Sequence, residues 1–172
     1  MVMERTETLL VMEYISGGSL YDFLHKTEEE LTYSNAINLL CQAAEALAYL
    51  HAMSERPVIH RDVKSLNMLV DAERKNLKIC DFGFVRQSRT EMTEARGTLI
   101  YMAPEVFKGK IYTDKCDVYS MGITIWEVLA RQIPYCTVEY EVVLYLLKQI
   151  ADGNPILFIY TIYLYTLNPL KM

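Results

Sequence analysis

The chain has 172 residues, 52% of them hydrophobic and 23% charged, and a formal net charge of −5. That length supports one domain with its own core, and the composition is that of a globular chain, not a disordered one. The acidic balance argues against nucleic acid and against an anionic membrane surface as partners.

Met1-Val2-Met3-Glu4-Arg5 leads into polar residues, so no secretory signal is expected. In Leu9-Leu10-Val11-Met12-Glu13-Tyr14 a short apolar run is ended by Ser16-Gly17-Gly18, which predicts a buried strand and a turn. Ser19 followed by Asp22 fits a capping box opening a short helix. From Ser34 to His51 apolar residues at 37, 40, 43, 44, 47 and 50 predict a helix with one buried stripe. Met68-Leu69-Val70 and Leu77-Lys78-Ile79-Cys80 flank a polar connection from Asp71 to Asn76, a hairpin pattern. Residues 84–100 show no period and predict a long loop. Asp117 to Arg131 is apolar on nearly all sides, so a centrally buried helix is expected there. A last helix is predicted over Glu139 to Ile150, closing at Asp152-Gly153-Asn154-Pro155. The uncharged run from Pro155 to Leu167 is too short for a bilayer, which needs about 20 residues, so no membrane span is expected. It could form a strand or an aggregation-prone edge. The cysteines at 41, 80, 116 and 136 lack metal-ligand spacing, so free thiols in a reducing compartment are expected.

Within eight residues, His60-Arg61-Asp62-Val63-Lys64-Ser65-Leu66-Asn67 places a carboxylate, an ammonium and an amide. A second carboxylate follows in Asp81-Phe82-Gly83, and Ala103-Pro104-Glu105 comes later. Taken singly, Asp62 reads as a surface-turn aspartate and Asp81 as a strand-end cap. Their order and spacing together match H-R-D-x-K-x-x-N, D-F-G and A-P-E, and the chain resembles a protein kinase. The resemblance covers about residues 8 to 155 and implies an α+β fold. That fold is a mainly helical kinase C-lobe with a short β-hairpin and only a remnant of the N-lobe sheet. Residues 1–155 are then a partial kinase domain, and 156–172 a divergent apolar tail.

The resemblance implies ATP and magnesium as cofactors and a phosphoryl-transfer site. Asp62 would orient the substrate hydroxyl and take its proton, and Lys64 would steady the γ-phosphate. Asn67 and Asp81 would hold Mg²⁺ through oxygen. Met12 would be the gatekeeper, Glu13 and Ile15 would meet the adenine edge with their backbone, and Leu69 would floor that pocket. For the segment around Met12 the plain alternative is a core strand. His60, Phe82, Gly83, Glu105 and Asp117 would be structural, with Asp117 holding the backbone of the His60-Arg61-Asp62 turn. Arg61 would clamp a phosphate on the activation segment, where Thr93, then Thr90, are the favoured switch sites and Thr98 a further regulatory position. Cys80 reads as a strand thiol, the alternative being one that lines the ATP site.

Lys64 and the Gly97-Thr98 step resemble serine/threonine kinases rather than tyrosine kinases. Leu10-Val11-Met12-Glu13-Tyr14, Gly17-Gly18-Ser19-Leu20-Tyr21, Leu77-Lys78-Ile79-Cys80-Asp81-Phe82-Gly83 and Lys115-Cys116-Asp117-Val118 are similar to the tyrosine-kinase-like branch. Within it they resemble the transforming-growth-factor-β-activated group of mitogen-activated protein kinase kinase kinases. Phe84-Val85-Arg86 departs from the small residues of that group. A downstream kinase kinase is the implied protein substrate, adaptor proteins are further partners, and the implied location is cytoplasmic. No G-x-G-x-x-G loop or V-A-I-K lysine precedes His60. The alternative reading is therefore a truncated, catalytically weak or inactive lobe that serves as a protein-binding module. A third is a fragment without function.

Overall fold

Ser19 sets where the first helix begins. Its Oγ accepts the Asp22 amide at 3.0 Å, the first half of the expected capping box, while the Asp22 carboxylate takes the Ser19 hydroxyl itself at 2.8 Å. The computed structural model describes residues 11–55, 57–81, 99–109, 113–136 and 139–153. Helix α1 (Leu20–Lys26) buries Leu20, Phe23 and Leu24. Helix α2 (Tyr33–Ala52) is capped by Thr32, whose side chain accepts the Asn35 amide.

The buried stripe of α2 is rotated from the expected one. Ala36, Leu39, Leu40, Ala43, Leu47 and Leu50 point inward, while Ile37 and Ala44 are exposed. The helix turns its leucines to the core, where each contributes about 1.5–3 kcal/mol when fully buried.

Strands β1 (Met68–Val70) and β2 (Leu77–Ile79) pair antiparallel, with Met68 opposite Ile79 and Val70 opposite Leu77. Asp71 organises their connection. Its Oδ1 accepts the Lys75 amide at 2.8 Å and its Oδ2 accepts Asn76 Nδ2 at 2.6 Å. Gln42 ties α2 to the hairpin, donating to Lys75 O and accepting the Leu77 amide, both at 2.8 Å.

Helices α3 (Pro104–Phe107), α4 (Lys115–Ala130) and α5 (Tyr140–Ala151) complete the described chain. One core joins Leu20, Phe23 and Leu24 to the inner face of α2, to Val63, Met68 and Val70, and to Met121 and Val128 of α4. A smaller cluster holds Tyr135, Val143 and Leu147 against Leu99 and Ile100. The result is a mainly helical α+β unit with one short hairpin.

Two expectations are corrected. Residues 11–15 belong to no strand, and Val11, Met12 and Tyr14 are 91%, 65% and 86% exposed. A strand needs a neighbour for its amides and carbonyls, and among the described residues none runs beside this segment. Helix α4 is not buried on all sides. Val118, Ile125 and Leu129 face outward, while Asp117, Ser120, Thr124 and Glu127 are buried. The polar residues recur at intervals of three, four and three, so they share one helix face. On that face Asp117, Ser120 and Glu127 find polar partners outside the helix, while Thr124 donates to the Ser120 carbonyl of α4 itself.

Among the described residues no helix is long and apolar enough to cross a membrane.

Candidate active site

Asp117 shapes the segment that carries the site. Its Oδ2 accepts the His60 amide and its Oδ1 the Arg61 amide, both at 2.8 Å. Arg61 sits in the left-handed region at φ 72°, a conformation that costs a non-glycine residue about 1–2 kcal/mol. Its own amide is anchored on Asp117, and the next amide, that of Asp62, donates to His60 Nδ1 at 3.3 Å, so the backbone is tied on either side of its Cα. Val63 then enters the core at 1% exposure, and Asp62 and Lys64 flank it with partly buried side chains.

Lys64 Nζ lies 2.8 Å from Asp62 Oδ2. The same oxygen accepts Asn67 Nδ2 at 2.8 Å, and that nitrogen also donates to the Asp62 carbonyl at 2.8 Å. Two acceptors facing one end of the Asn67 amide identify it as nitrogen and leave Oδ1 as the outward acceptor. Among the described residues Asp62 Oδ1 has no hydrogen-bond partner, so one carboxylate oxygen is held and the other is available.

Asp81 reaches this cluster through Cys80. The Cys80 amide donates to Asn67 O at 2.9 Å, and its carbonyl lies 3.0 Å from His60 Nε2. With both backbone groups of Cys80 tied to the loop, Asp81 leaves the end of β2 beside it, exposed and at φ 59°. Burial, then the Asp81 charge, raises the Cys80 thiol above its usual range. The thiol itself is half-buried. Among the described residues no three His, Cys, Asp or Glu side chains gather as a metal site. The amide oxygen of Asn67 with the carboxylate of Asp81 is a sparse oxygen set, which suits a hard cation that keeps water and phosphate oxygens as its other ligands.

The remaining expected residues are more scattered. Leu69 is half-buried in β1 and bridged to Ser19. Met12 and Glu13 are exposed, Ile15 is partly buried, and the Glu13 carboxylate pairs with Lys78 at 2.6 Å. Arg61 is exposed beside Asp62, and Glu105 lies in α3. Phe82, Gly83, Thr90, Thr93, Thr98 and the tail 156–172 lie outside the described residues.

Sequence reasoning missed the polar groups beneath the loop. His51 Nε2 lies 2.8 Å from Asp117 Oδ2. Ser65 Oγ donates to Glu127 Oε1 at 2.8 Å, and His25 Nε2 lies 2.9 Å from the same oxygen. Ser120 Oγ donates to the carbonyls of Tyr101 and Cys116. Burial raises the Glu127 carboxyl above the usual range, against hydrogen bonds from His25, Ser65 and Tyr101 that lower it. Burial, followed by the Asp117 charge, pushes the Cys116 thiol up to about 12. The spacing of Asp117, Ser120, Thr124 and Glu127 was the available signal: four polar residues on one face of an otherwise apolar helix.

This is the arrangement of a protein kinase catalytic loop, and the chain belongs to the protein kinase domain family, whose pattern matches residues 1–155. Over 129 residues it is 52% identical to mitogen-activated protein kinase kinase kinase 7 of Drosophila melanogaster, covering 74% of this chain and 19% of that protein. To the protein of the same name from Homo sapiens it is 47% identical over 128 residues, 73% of this chain and 21% of that protein. A probable serine/threonine-protein kinase of Dictyostelium discoideum is 45% identical over 127 residues, 73% of this chain and 13% of that protein. The chain therefore spans 13–21% of the length of these relatives.

Proposed function

We propose that this chain carries the catalytic loop of an enzyme that transfers the γ-phosphoryl group of ATP to serine or threonine hydroxyls of a protein. A mitogen-activated protein kinase kinase kinase-like step is the setting, with a downstream kinase kinase as the substrate. The observation that carries the reading is the Asp62–Lys64–Asn67 cluster, with one Asp62 oxygen held by Lys64 and Asn67 and the other available.

The substrate hydroxyl would meet Asp62 Oδ1, which orients it for in-line attack and accepts its proton as the oxygen–phosphorus bond forms and ADP departs. Lys64, held at 2.8 Å from Asp62, carries its positive charge to the side where the phosphoryl group passes. Asn67 Oδ1 and the Asp81 carboxylate would hold magnesium, which when bound neutralises charge on the phosphate oxygens. Leu69, with the backbone of Glu13 and Ile15 and the side chain of Met12, would meet the adenine. Arg61, exposed next to Asp62, would receive the phosphate of a modified Thr93 or Thr90, with Thr98 a further regulatory position. Adaptor proteins and a cytoplasmic location belong to the same reading.

The test is phosphoryl transfer from magnesium-ATP to a generic serine/threonine substrate by the purified chain, beside Asp62→Asn. Transfer that disappears in the variant is the expected result. No transfer above the variant, from a chain folded by circular dichroism, overturns the enzymatic reading for this chain and favours a protein-binding module.

A further inference from the structure

The catalytic loop is held by α4 at two points. Asp117 takes the His60 and Arg61 amides. Ten residues further along the same helix, about 15 Å at 1.5 Å per residue, Glu127 takes the Ser65 hydroxyl. Asp62 and Lys64 lie in the span between these anchors.

The second anchor is an unusual thing to bury. Glu127 has 0% exposure and its Oε2 has no hydrogen-bond partner among the described residues. An isolated carboxylate so placed would be strongly disfavoured. His25 supplies the compensation. It arrives from α1, its side chain is 10% exposed, and its Nε2 lies 2.9 Å from Glu127 Oε1. The Tyr21 ring packs on His25 with centroids 4.7 Å apart. The Tyr101 hydroxyl interacts with Glu127 and with Ser65. These tyrosines and His25 are the titratable groups acting on the carboxylate from α1 and from the segment before α3.

We infer that Glu127, with the His25 ring as its partner, is a positioning residue for phosphoryl transfer. It fixes the far end of the loop through Ser65, so that Asp62 and Lys64 keep their mutual register. The inference rests on the proposed kinase activity for its kinetic consequence, but not for its structural one. A carboxylate serves here because a single oxygen, Oε1, receives both the Ser65 hydroxyl and the His25 ring. A neutral amide in its place would attract both donors less strongly.

Hydrogen exchange on the full chain, read by mass spectrometry, tests the anchor without requiring activity. Glu127→Gln and Ser65→Ala are each expected to speed exchange at residues 63–67 by about tenfold, with the amides of α2 unchanged. Unchanged protection at 63–67 in a folded variant overturns the inference. Ser65→Ala removes the loop's hydroxyl contacts to Glu127 and Tyr101 and leaves the His25–Glu127 pair in place, so it decides the matter if Glu127→Gln fails to fold. Where the chain transfers phosphate, Ser65→Ala should lower kcat about tenfold with KM for ATP unchanged. Equal kcat for both proteins also overturns the inference. A wild-type chain without transfer sinks the proposed activity, while the exchange result still decides the anchor.

Discussion

His51 Nε2 lies 2.8 Å from Asp117 Oδ2, the oxygen that also accepts the His60 amide. Helix α2 thus steadies the carboxylate by which α4 holds the catalytic loop. The Asp117 side chain is 1% exposed, so losing His51 leaves its Oδ2 with one donor fewer in a dry site. Removing one partner of a hydrogen bond to a buried acceptor costs about 1–3 kcal/mol. His51→Ala should therefore lower the Tm by roughly 2–12 °C at this chain length, as followed by circular dichroism. A shift under about 2 °C would show the contact to be incidental.

Gly17 fits where no side chain can. A Cβ there would collide with the carbonyls of Asp71 and Val70 and with the Arg74 guanidinium, which itself donates to Gly17 O at 2.8 Å. Two of those neighbours are backbone and cannot swing aside. Gly17→Ala should destabilise by about 1–3 kcal/mol in urea titration, whereas Gly18→Ala meets no neighbour and suffers only from its φ of 77°. Equal stability of wild type and Gly17→Ala would contradict the close approach.

Arg131 terminates α4 in the left-handed region, at φ 50°, and donates to the carbonyls of Leu24, Thr27 and Glu29. Its guanidinium and that of Arg74 lie 6.0 Å and 4.7 Å from the Phe23 ring centroid. Arg131→Ala loses the carbonyl contacts and should cost about 2–4 kcal/mol. Arg131→Gly loses them too but relieves the backbone, so it should be more stable than Arg131→Ala by about 1–2 kcal/mol. The order of the two denaturation midpoints checks this, and alanine at or above glycine would refute it.

Glu127 links stability to pH. Its folded pKa is raised, chiefly by burial, so the folded chain binds a proton that the unfolded chain has released. The contribution is fully present below the ordinary glutamate range and is lost as pH rises through the raised value. Wild-type Tm should fall with rising pH above about 4.3, the ordinary glutamate pKa, and Glu127→Gln should flatten that slope. Parallel Tm–pH curves for the two proteins would exclude Glu127 as the source.

The four thiols should separate by reactivity. Cys41 and Cys136 are exposed, Cys80 is half-buried with a raised pKa, and Cys116 is buried with its pKa pushed up to about 12. A thiolate-selective reagent at pH 7.5 should modify Cys41 and Cys136 first, then Cys80, and leave Cys116 until the chain unfolds. Peptide mapping of the modified sites checks the order, and early labelling of Cys116 would contradict it.

The features legible in the sequence are those set by near neighbours along the chain. Ser19 and Asp22 close their own cap, Asp71 organises a six-residue connection, and the bounds of α4 and α5 follow from local composition and Gly153. The cluster around Asp62 is also close in the chain, but taken singly its residues read as surface polar groups, and their expected roles rest on the resemblance to protein kinases.

What only the tertiary structure decided is which faces turn inward. Apolarity alone would bury Val118, Ile125 and Leu129, yet these are exposed while Asp117 and Glu127 are sealed in. Their partners, His51 and His25, lie 66 and 102 residues away. The same holds for residues 11–15, whose apolar side chains predict burial that no described strand provides. A buried polar group is stable only where a donor meets it at hydrogen-bond distance, and that meeting is made by the packing of α1, α2 and the catalytic loop on α4.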